Sequence, residues 1–496
     1  MFSNRDLQQL QKKGIGEDQA KWQINQFEKG IPPTELVRAA AINDGILKIN
    51  DTSSYVAKFE NSKAKVTKFV PASGAASRMF KALFEALEAL NAGKSSDELI
   101  KESDFISKFY SELSSFAFYE ELKSLGETDN LKSVLETILL EGNMNYGGLP
   151  KGLLSFHKAN GKAVTPVEEH LYEGVQYAKG DDNSVNLHFT VSPEHENNFK
   201  ELLNKALPVY GERFNVTFNI SFSQQSPSTD TLSVDLDNKP FRTENNEILF
   251  RPGGHGALIK NLDSIESDIV FVKNIDNVVP EKLAEDTVTY KKVLAGVLLD
   301  IQEELFALQV AFDKGESDKL INKAKTFYKQ KLFVDLTEVC EGRSASEQYS
   351  IIKQMLNRPL RACGVVKNTG EPGGGPFWTK NTKGEISLQV VESSQVDLSD
   401  KSQEEIFNSS THFNPVDLVC GICNAKGEKF NLANYVDNNT CFISKKSKSG
   451  KELKALELPG LWNGAMAFWN TVFVEVPIST FNPVKTVNDL LRSMHQ

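Results

Sequence analysis

The sequence predicts an α/β protein, and three observations carry that prediction. Short alternating or β-branched runs recur at 65–70, 186–191, 216–222 and 268–273. Stretches with apolar residues at helical spacing separate them. From about residue 165 strand and helix alternate, the pattern of a mostly parallel sheet with crossover helices. The expected layout is an N-terminal helical segment over 1–64, an α/β core over 65–280, a helical excursion over 281–356, and a mixed β-rich C-terminal part over 357–496. A chain of 496 residues suits roughly two to four domain-sized units.

The elements follow in order. The first 60 or so residues read as helical, broken at Lys12-Lys13-Gly14 and at Lys29-Gly30-Ile31-Pro32-Pro33, with a new amphipathic start at Thr34. The strand at 65–70 leads through a small-residue turn into a helix over 78–90. Helical spacing returns over 98–140. Thr165-Pro166 opens another helix, and after the strand at 186–191 Ser192 is the expected N-cap, with Pro193 at the first helical position. Strands at 216–222 and 268–273 precede the charged helices of 281–356. Beyond about 360, short strands and glycine loops dominate.

Composition narrows the function classes. Forty per cent hydrophobic and 25% charged residues match ordinary globular proteins and disfavour a disordered or collagen-like chain. No apolar run approaches the ~20 residues of a membrane helix. The first residues lack an apolar core, so no secretory signal and no membrane partner are expected. With 56 basic and 66 acidic residues the net charge is −10, which argues against a nucleic-acid partner held by a broad basic surface. A local basic pocket for a phosphate remains compatible. Five cysteines make no disulfide framework. Cys420 and Cys423 form a lone C-x-x-C that reads as core thiols, with redox chemistry or half a metal site as alternatives. A reducing cytoplasm is the expected location.

Three glycine-bearing stretches could carry chemistry. Pro71-Ala72-Ser73-Gly74-Ala75-Ala76-Ser77-Arg78 lies between a strand and a helix, where free N–H groups attract anions and Arg78 offers a bidentate fork. The alternative is a structural turn. Gly147-Gly148-Leu149-Pro150-Lys151-Gly152-Leu153, with His157 and Lys158 behind it, suggests a loop aiming Lys151 at a phosphate; a tight turn with a solvated lysine is the plainer reading. Arg251-Pro252-Gly253-Gly254-His255-Gly256-Ala257-Leu258 leads into a helix, and His255 suits a hydrogen bond within its own loop better than zinc. Soon after, the apolar run at 268–273 ends in Asn274-Ile275-Asp276-Asn277. Ligands of α/β sheets bind beyond the carboxyl ends of strands, so Asp276 is placed to hold Mg²⁺ on phosphate oxygens, or else closes the strand in an Asx turn.

Taken together, these stretches resemble the pyrophosphorylases that make UDP-glucose, UDP-N-acetylglucosamine and related nucleotide sugars. The segment Val272-Lys273-Asn274-Ile275-Asp276-Asn277 is the closest match to that family's V-x-N-I-D-N. Further matches keep the family's order: Phe222-Ser223-Gln224-Gln225-Ser226-Pro227, Val390-Val391-Glu392-Ser393-Ser394-Gln395, Phe407-Asn408-Ser409-Ser410-Thr411, and Phe481-Asn482-Pro483-Val484-Lys485 through Asp489-Leu490-Leu491. The whole chain also resembles a bacterial family known as a domain of unknown function. The segment Arg358-Pro359-Leu360-Arg361 to Lys367, followed by Gly373-Gly374-Gly375, reads as peculiar to that group. It suggests a second anion site at Arg358, Arg361 and Lys367, or a structural glycine loop.

The resemblance implies a GT-A-like Rossmann nucleotidyltransferase core with Mg²⁺ as cofactor, and a nucleoside triphosphate and a sugar phosphate as partners. It gives Ser73, Gly74, Ala75 and Ser77 to the triphosphate, with Arg78 neutralising the leaving pyrophosphate. Lys151 would hold phosphate oxygens, and Lys485 would meet the sugar phosphate. Gln224 with Gly253, Gly254, His255 and Gly256 would face base and ribose. Glu392 and Asn408 would bind sugar hydroxyls, and Asp276 would hold Mg²⁺. The chain also departs from the family. Ala76 replaces a loop glycine, where a methyl could crowd phosphates. Ala257 stands where an acidic residue is common, and Ser393 and Gln395 replace a Tyr and a Glu. The expected activity is therefore sugar-phosphate nucleotidyl transfer. The alternatives are a non-catalytic nucleotide or nucleotide-sugar binder and a glycosyltransferase, whose D-x-D spelling occurs only at Asp235-Leu236-Asp237.

Overall fold

The computed structural model describes residues 2–159, 161–370, 373–382, 384–448 and 450–496. It is a mixed α/β protein whose chain forms two compact units, each assembled from three segments. Unit 1 takes 1–65, 224–271 and 292–478; unit 2 takes 66–223, 272–291 and 479–496. The consecutive segments expected from the sequence therefore do not coincide with the compact units.

Unit 2 is built on three parallel strands in the order Val66–Pro71, Ser184–Thr190, Thr217–Ser223. The first is buried along almost its whole length, as a parallel strand covered on both faces must be. Helices Pro166–Tyr177 and Glu196–Phe214 provide the crossovers, and Val167, Leu171, Phe199 and Leu203 close over Val70, Leu187 and Phe189. Thr165 caps the first of these helices in a reciprocal box with Glu168. Ser192 makes no such bond: a 3₁₀ turn, Pro193–His195, comes first, and the α-helix begins at Glu196. A second core gathers the helices between Lys81 and Leu139. Phe80, Leu83, Phe109, Phe116, Leu135 and Ile138 pack there with Val484, Val487 and Leu490 from the end of the chain. The helix expected from 78 starts at Lys81 instead, because Ala76–Arg78 turns as a 3₁₀ element.

Unit 1 holds a mixed sheet. Gly45–Leu47, Asn470–Glu475 and Leu360–Lys367 run parallel, and Asp417–Gly421 runs antiparallel beside the last of them. An antiparallel three-stranded sheet joins Glu35–Ala39, Gly375–Lys380 and Ile386–Val391. The expectation of helix across the first 60 residues thus needs correction. Asn4–Lys13, Glu17–Lys29 and Thr52–Glu60 are helices, whereas 35–47 contributes three short strands. Glu35–Ala39 and Gly45–Leu47 pair with strands hundreds of residues away, so local periodicity could not reveal them, and Ala41–Ile42 pairs with Gly45–Leu47 beside it. The first two helices cover a four-stranded antiparallel sheet through Leu10, Ile24 and Phe27 on Leu232, Val234 and Leu456. The charged stretch after 281 is helical as expected, in Glu285–Lys314, Asp318–Lys331, Thr337–Cys340 and Ala345–Leu356. No helix among the described residues is long and apolar enough to cross a membrane.

Candidate functional site

In unit 2 the loops that follow two strands meet the end of the chain. The loop after Val66–Pro71 runs alongside the lysine loop: the Ala76 N–H donates to the Leu149 carbonyl (3.1 Å) and the Lys151 N–H to the Gly74 carbonyl (3.3 Å). Pro150 fixes the entry to the short turn Lys151–Leu153. Gly152 is needed there, since a Cβ would press on Ile275 and Phe199 at 3.1–3.2 Å. This packing sends the Lys151 side chain to Asp276. Its Nζ donates to Asp276 Oδ2 at 2.6 Å and to the Val484 carbonyl at 2.6 Å. The two side chains keep 16% and 20% of their surface, so the pair is open on one side.

The C-terminal segment is held to the same place. The Val484 N–H donates to the Asp276 carbonyl (3.1 Å). Asn277 is buried, with its Oδ1 accepting from the Asn482 N–H (2.7 Å) and its Nδ2 donating to Thr480 (3.2 Å). Lys485, next after Val484, is exposed, with Nζ 5.9 Å from the Phe481 ring. Arg78 is exposed and has no hydrogen bond or ion pair among the described residues. Gly74, Ala75 and Ser77 are also exposed, and Ser73 partly so. Ala76 is fully buried in the helical core, so its methyl points away from the open face of the loop. Unit 2 therefore gathers Ser73 to Arg78, Lys151, Asp276 and Lys485 around one short stretch of backbone.

Among the described residues no group of three or more His, Cys, Asp or Glu side chains is arranged to hold a metal. Asp276 offers a single carboxylate. Such a donor set suits Mg²⁺ arriving on phosphate oxygens, because that ion keeps most of its ligands from water and substrate.

Sequence reasoning missed a second polar cluster in unit 2. Lys68 and Lys273, both on strands, point their ammonium groups at Glu173 on helix Pro166–Tyr177, at 2.8 and 2.6 Å. Tyr177 adds a hydroxyl at 2.7 Å. Burial works against the Glu173 charge, but the two lysines overcome it and hold the carboxyl well below its usual range. Burial pushes Lys68 down to about 7. Beside this cluster Glu169, His157 and His495 form a chain, with Glu169 Oε1 to His157 Nδ1 at 2.8 Å and His157 Nε2 to His495 Nδ1 at 2.9 Å. Burial raises Glu169 well above the usual carboxylate value and pushes His157 down to about 3. Burial thus disfavours charge on Glu169 and on His157 alike, and the three side chains form one hydrogen-bonded row. Partners a hundred residues apart gave no local signal.

Unit 1 carries the other predicted residues. Gly253 to Gly256 form a tight turn, where a Cβ on Gly256 would strike Leu458 at 2.5 Å. Exposed His255 packs its ring 4.6 Å from Trp462. Gln225 ties the turn down, donating to the Gly254 carbonyl at 3.1 Å. Gln224 is exposed, and its carbonyl accepts from Asn261 at 2.9 Å. Glu392 accepts from Asn463 Nδ2 at 3.2 Å, and Gln395 from the same group at 3.1 Å. Asn408 is exposed at the end of helix Lys401–Asn408. Asp235 uses its carboxylate within its own turn, accepting from the N–H groups of Asp237 and Lys239 at 2.9 Å.

The residues expected to form a second anion site are not brought together. Arg361 is fully buried and donates to Thr471 Oγ1 (2.8 Å) and the Trp462 carbonyl (2.7 Å), so it belongs to the core. Lys367 is exposed at the far end of the same strand, and Arg358 lies before the strand begins. All five cysteines are free thiols, four of them buried.

A family model described as Domain of unknown function (DUF4301) matches residues 3–496, so the chain belongs to that family. No curated protein matches it. Solved structures similar to it include a variant UDP-glucose pyrophosphorylase of Leishmania major in complex with UDP-glucose. That match has 15% identity, covers 99% of this chain and 79% of that one, and gives a TM-score of 0.46. A UDP-glucose phosphorylase of Trypanosoma brucei gives 14% identity, 99% and 78% coverage, and a TM-score of 0.45.

Proposed function

We propose that this member of the DUF4301 family is a Mg²⁺-dependent sugar-phosphate nucleotidyltransferase. In that reaction an oxygen of a sugar 1-phosphate attacks the α-phosphorus of a nucleoside triphosphate, and pyrophosphate leaves. The observation that carries the reading is the open Lys151–Asp276 pair at 2.6 Å, at the end of a strand and beside the loop that bears Arg78. The chemistry needs alignment and charge neutralisation at a crowded phosphorus more than it needs an acid or base. In this reading Asp276 holds the metal that the triphosphate brings. Lys151 then turns from the carboxylate to phosphate oxygens. Arg78 neutralises the leaving pyrophosphate, and Lys485 meets the sugar phosphate. Gln224, the 253–256 loop, Glu392 and Asn408 of unit 1 keep base and sugar roles as proposals of the same kind. The binding-only alternative rests on Ala76 crowding the phosphates and on the altered sugar motif at Ser393 and Gln395; the buried position of the Ala76 methyl supports the catalytic reading on the first ground and leaves the second standing.

The test is synthesis. Purified protein with Mg²⁺ is offered each nucleoside triphosphate, UTP first, with a panel of sugar 1-phosphates, and nucleotide sugar and pyrophosphate are measured together. Turnover should fall about 100–1,000-fold in Lys151→Met and in Asp276→Asn, the scale of removing one charge-stabilising group. No nucleotide sugar from any pair, or turnover indifferent to both substitutions, sinks the proposal. Triphosphate binding without turnover would turn the argument to the binding-only reading.

A further inference from the structure

Unit 1 contains a cavity of about 850 Å³, within the ~300–1,000 Å³ range of small-molecule sites. Its walls come from the helices between Asp318 and Leu356, the hairpin of Gly375–Lys380 with Ile386–Val391, and the start of Asn470–Glu475. It lies at the amino ends of the parallel strands, where Leu360 pairs with Asn470, and not at the carboxyl ends that α/β sheets ordinarily use.

Two kinds of group line it without a protein partner. Arg358 is half-buried in the wall, and Arg343 is exposed at it. Neither side chain has a hydrogen bond or ion pair among the described residues. The Trp469 indole N–H is buried and has no acceptor, although Trp469 is only 4% exposed. Buried donors of this kind are rare in native proteins, and an absent ligand is one of the few physical accounts of them. The cavity's carboxylates are partly engaged: Lys329 pairs with Asp335 at 2.9 Å and Asn381 donates to Glu385 at 2.8 Å, which leaves Glu338. The remaining wall mixes aliphatic and polar side chains with the aromatic rings of Tyr328, Phe333, Trp378 and Phe468. Trp378 carries Arg38 on its face at 4.7 Å, and Phe333 enters the wall with φ +59°, a left-handed conformation that a bulky side chain rarely adopts. The Leu332 and Val334 N–H groups, both donating to the Tyr328 carbonyl (3.1 and 3.0 Å), hold that turn.

We propose that this cavity is a second ligand site, which takes a small molecule with an aromatic or planar body and one anionic head, phosphate or carboxylate. Arg358 and the Trp469 N–H receive the head, and the body lies against the rest of the wall, with the half-buried Phe333 as its aromatic face. The site is independent of the nucleotidyl-transfer reading.

Phenyl phosphate and phenylacetate are the probes. Trp378 and Trp469 supply half of the chain's four tryptophans, so intrinsic fluorescence reports binding directly. At least one probe should give a saturable fluorescence change, and which one binds identifies the head group. Arg358→Gln should weaken binding at least tenfold, and Trp469→Phe, which keeps a ring but removes the N–H, a few-fold. Arg78→Gln should leave it unchanged. Circular dichroism and thermal melting check that each variant folds. Three results would overturn the proposal: no saturable change with either probe, wild-type binding by Arg358→Gln, or loss of binding in Arg78→Gln, which would place the probe in unit 2.

Discussion

Unit 2 has two lysine–carboxylate clusters rooted in the same stretches of chain, and they differ in what surrounds them. Lys68 and Lys273 lie within strands and meet Glu173 with all three side chains at most 2% exposed. Asp276, just beyond the end of the second strand, meets Lys151 with both side chains still partly in water. The closed cluster cannot exchange a partner without opening the core, so it acts as scaffold. The open pair can give up its contact to an incoming charge, because solvent already reaches one side. A lysine and a carboxylate at hydrogen-bond distance therefore imply different roles according to burial, and each contrast can be broken by experiment.

The largest effect should come from the closed cluster. Glu173→Gln leaves two buried lysines facing a neutral amide, and breaking a buried ion pair from one side costs about 3–5 kcal/mol. Urea denaturation at neutral pH measures it. A loss below ~1 kcal/mol would mean that water reaches the cluster and that the contrast is false. Glu173→Gln combined with Lys68→Met should lose less than the sum of the single changes, since the double variant no longer buries that uncompensated charge.

The closed region extends through four buried histidines, His157, His170, His188 and His495, and acid should expose it. Burial holds His157 down to about 3, His188 and His495 to about 4, and His170 well below its usual range, against an ordinary 6.5. The unfolded chain takes up these protons near pH 6.5, while the folded protein takes them up only well below. Stability is thus present above about pH 6.5 and is lost as pH falls toward 4. Glu169, raised by burial, binds its proton earlier when folded and offsets part of the loss. A net fall of several kcal/mol, about 4–7, between pH 7 and 5 is expected from shifts of this size. The urea midpoint at pH 7, 6 and 5 reads it, and a flat or rising midpoint would show that these groups are solvated.

What the sequence revealed follows the same division. The strand–loop–helix around Ser73 to Arg78, the apolar strand ending near Asp276, and the helix opened by Thr165-Pro166 were legible because each rests on neighbours a few residues apart. The Lys68–Glu173–Lys273 cluster was not, because alternation in a strand shows which residues share a face and not whether a helix covers that face. Arg361 was misjudged for the same reason: a guanidinium on a strand invites an anion, yet backbone and hydroxyl acceptors inside the core satisfy two of its three nitrogens. The strands Glu35–Ala39 and Gly45–Leu47 were hidden by partners far away in sequence, such as Leu36 opposite Thr379 and Ile46 opposite Phe473.

On the open side, Lys151→Met should change stability by no more than about 1 kcal/mol, as expected for a partly solvated pair, while removing activity. Normal turnover in this variant, or a loss as large as that of Glu173→Gln, would erase the distinction between the two clusters.

The smallest effect on stability is the most informative about the open face. A Cβ on Gly74 would meet nothing within 4 Å, and its backbone lies outside the left-handed region. Gly74→Ala should therefore stabilise the free protein by about 0.4–1 kcal/mol, through the narrower freedom of the unfolded chain. Ala76→Gly, next in the loop but one, should do the reverse, losing about 1 kcal/mol with the buried methyl. Binding separates them further. If triphosphate oxygens approach the backbone at 74, the new methyl obstructs them and Kd rises at least several-fold, whereas Ala76→Gly leaves Kd near its wild-type value. A Gly74→Ala protein that is more stable and binds equally well would make the glycine a turn residue only. The phosphates would then have to be held by Arg78 and Lys151 without the loop's backbone.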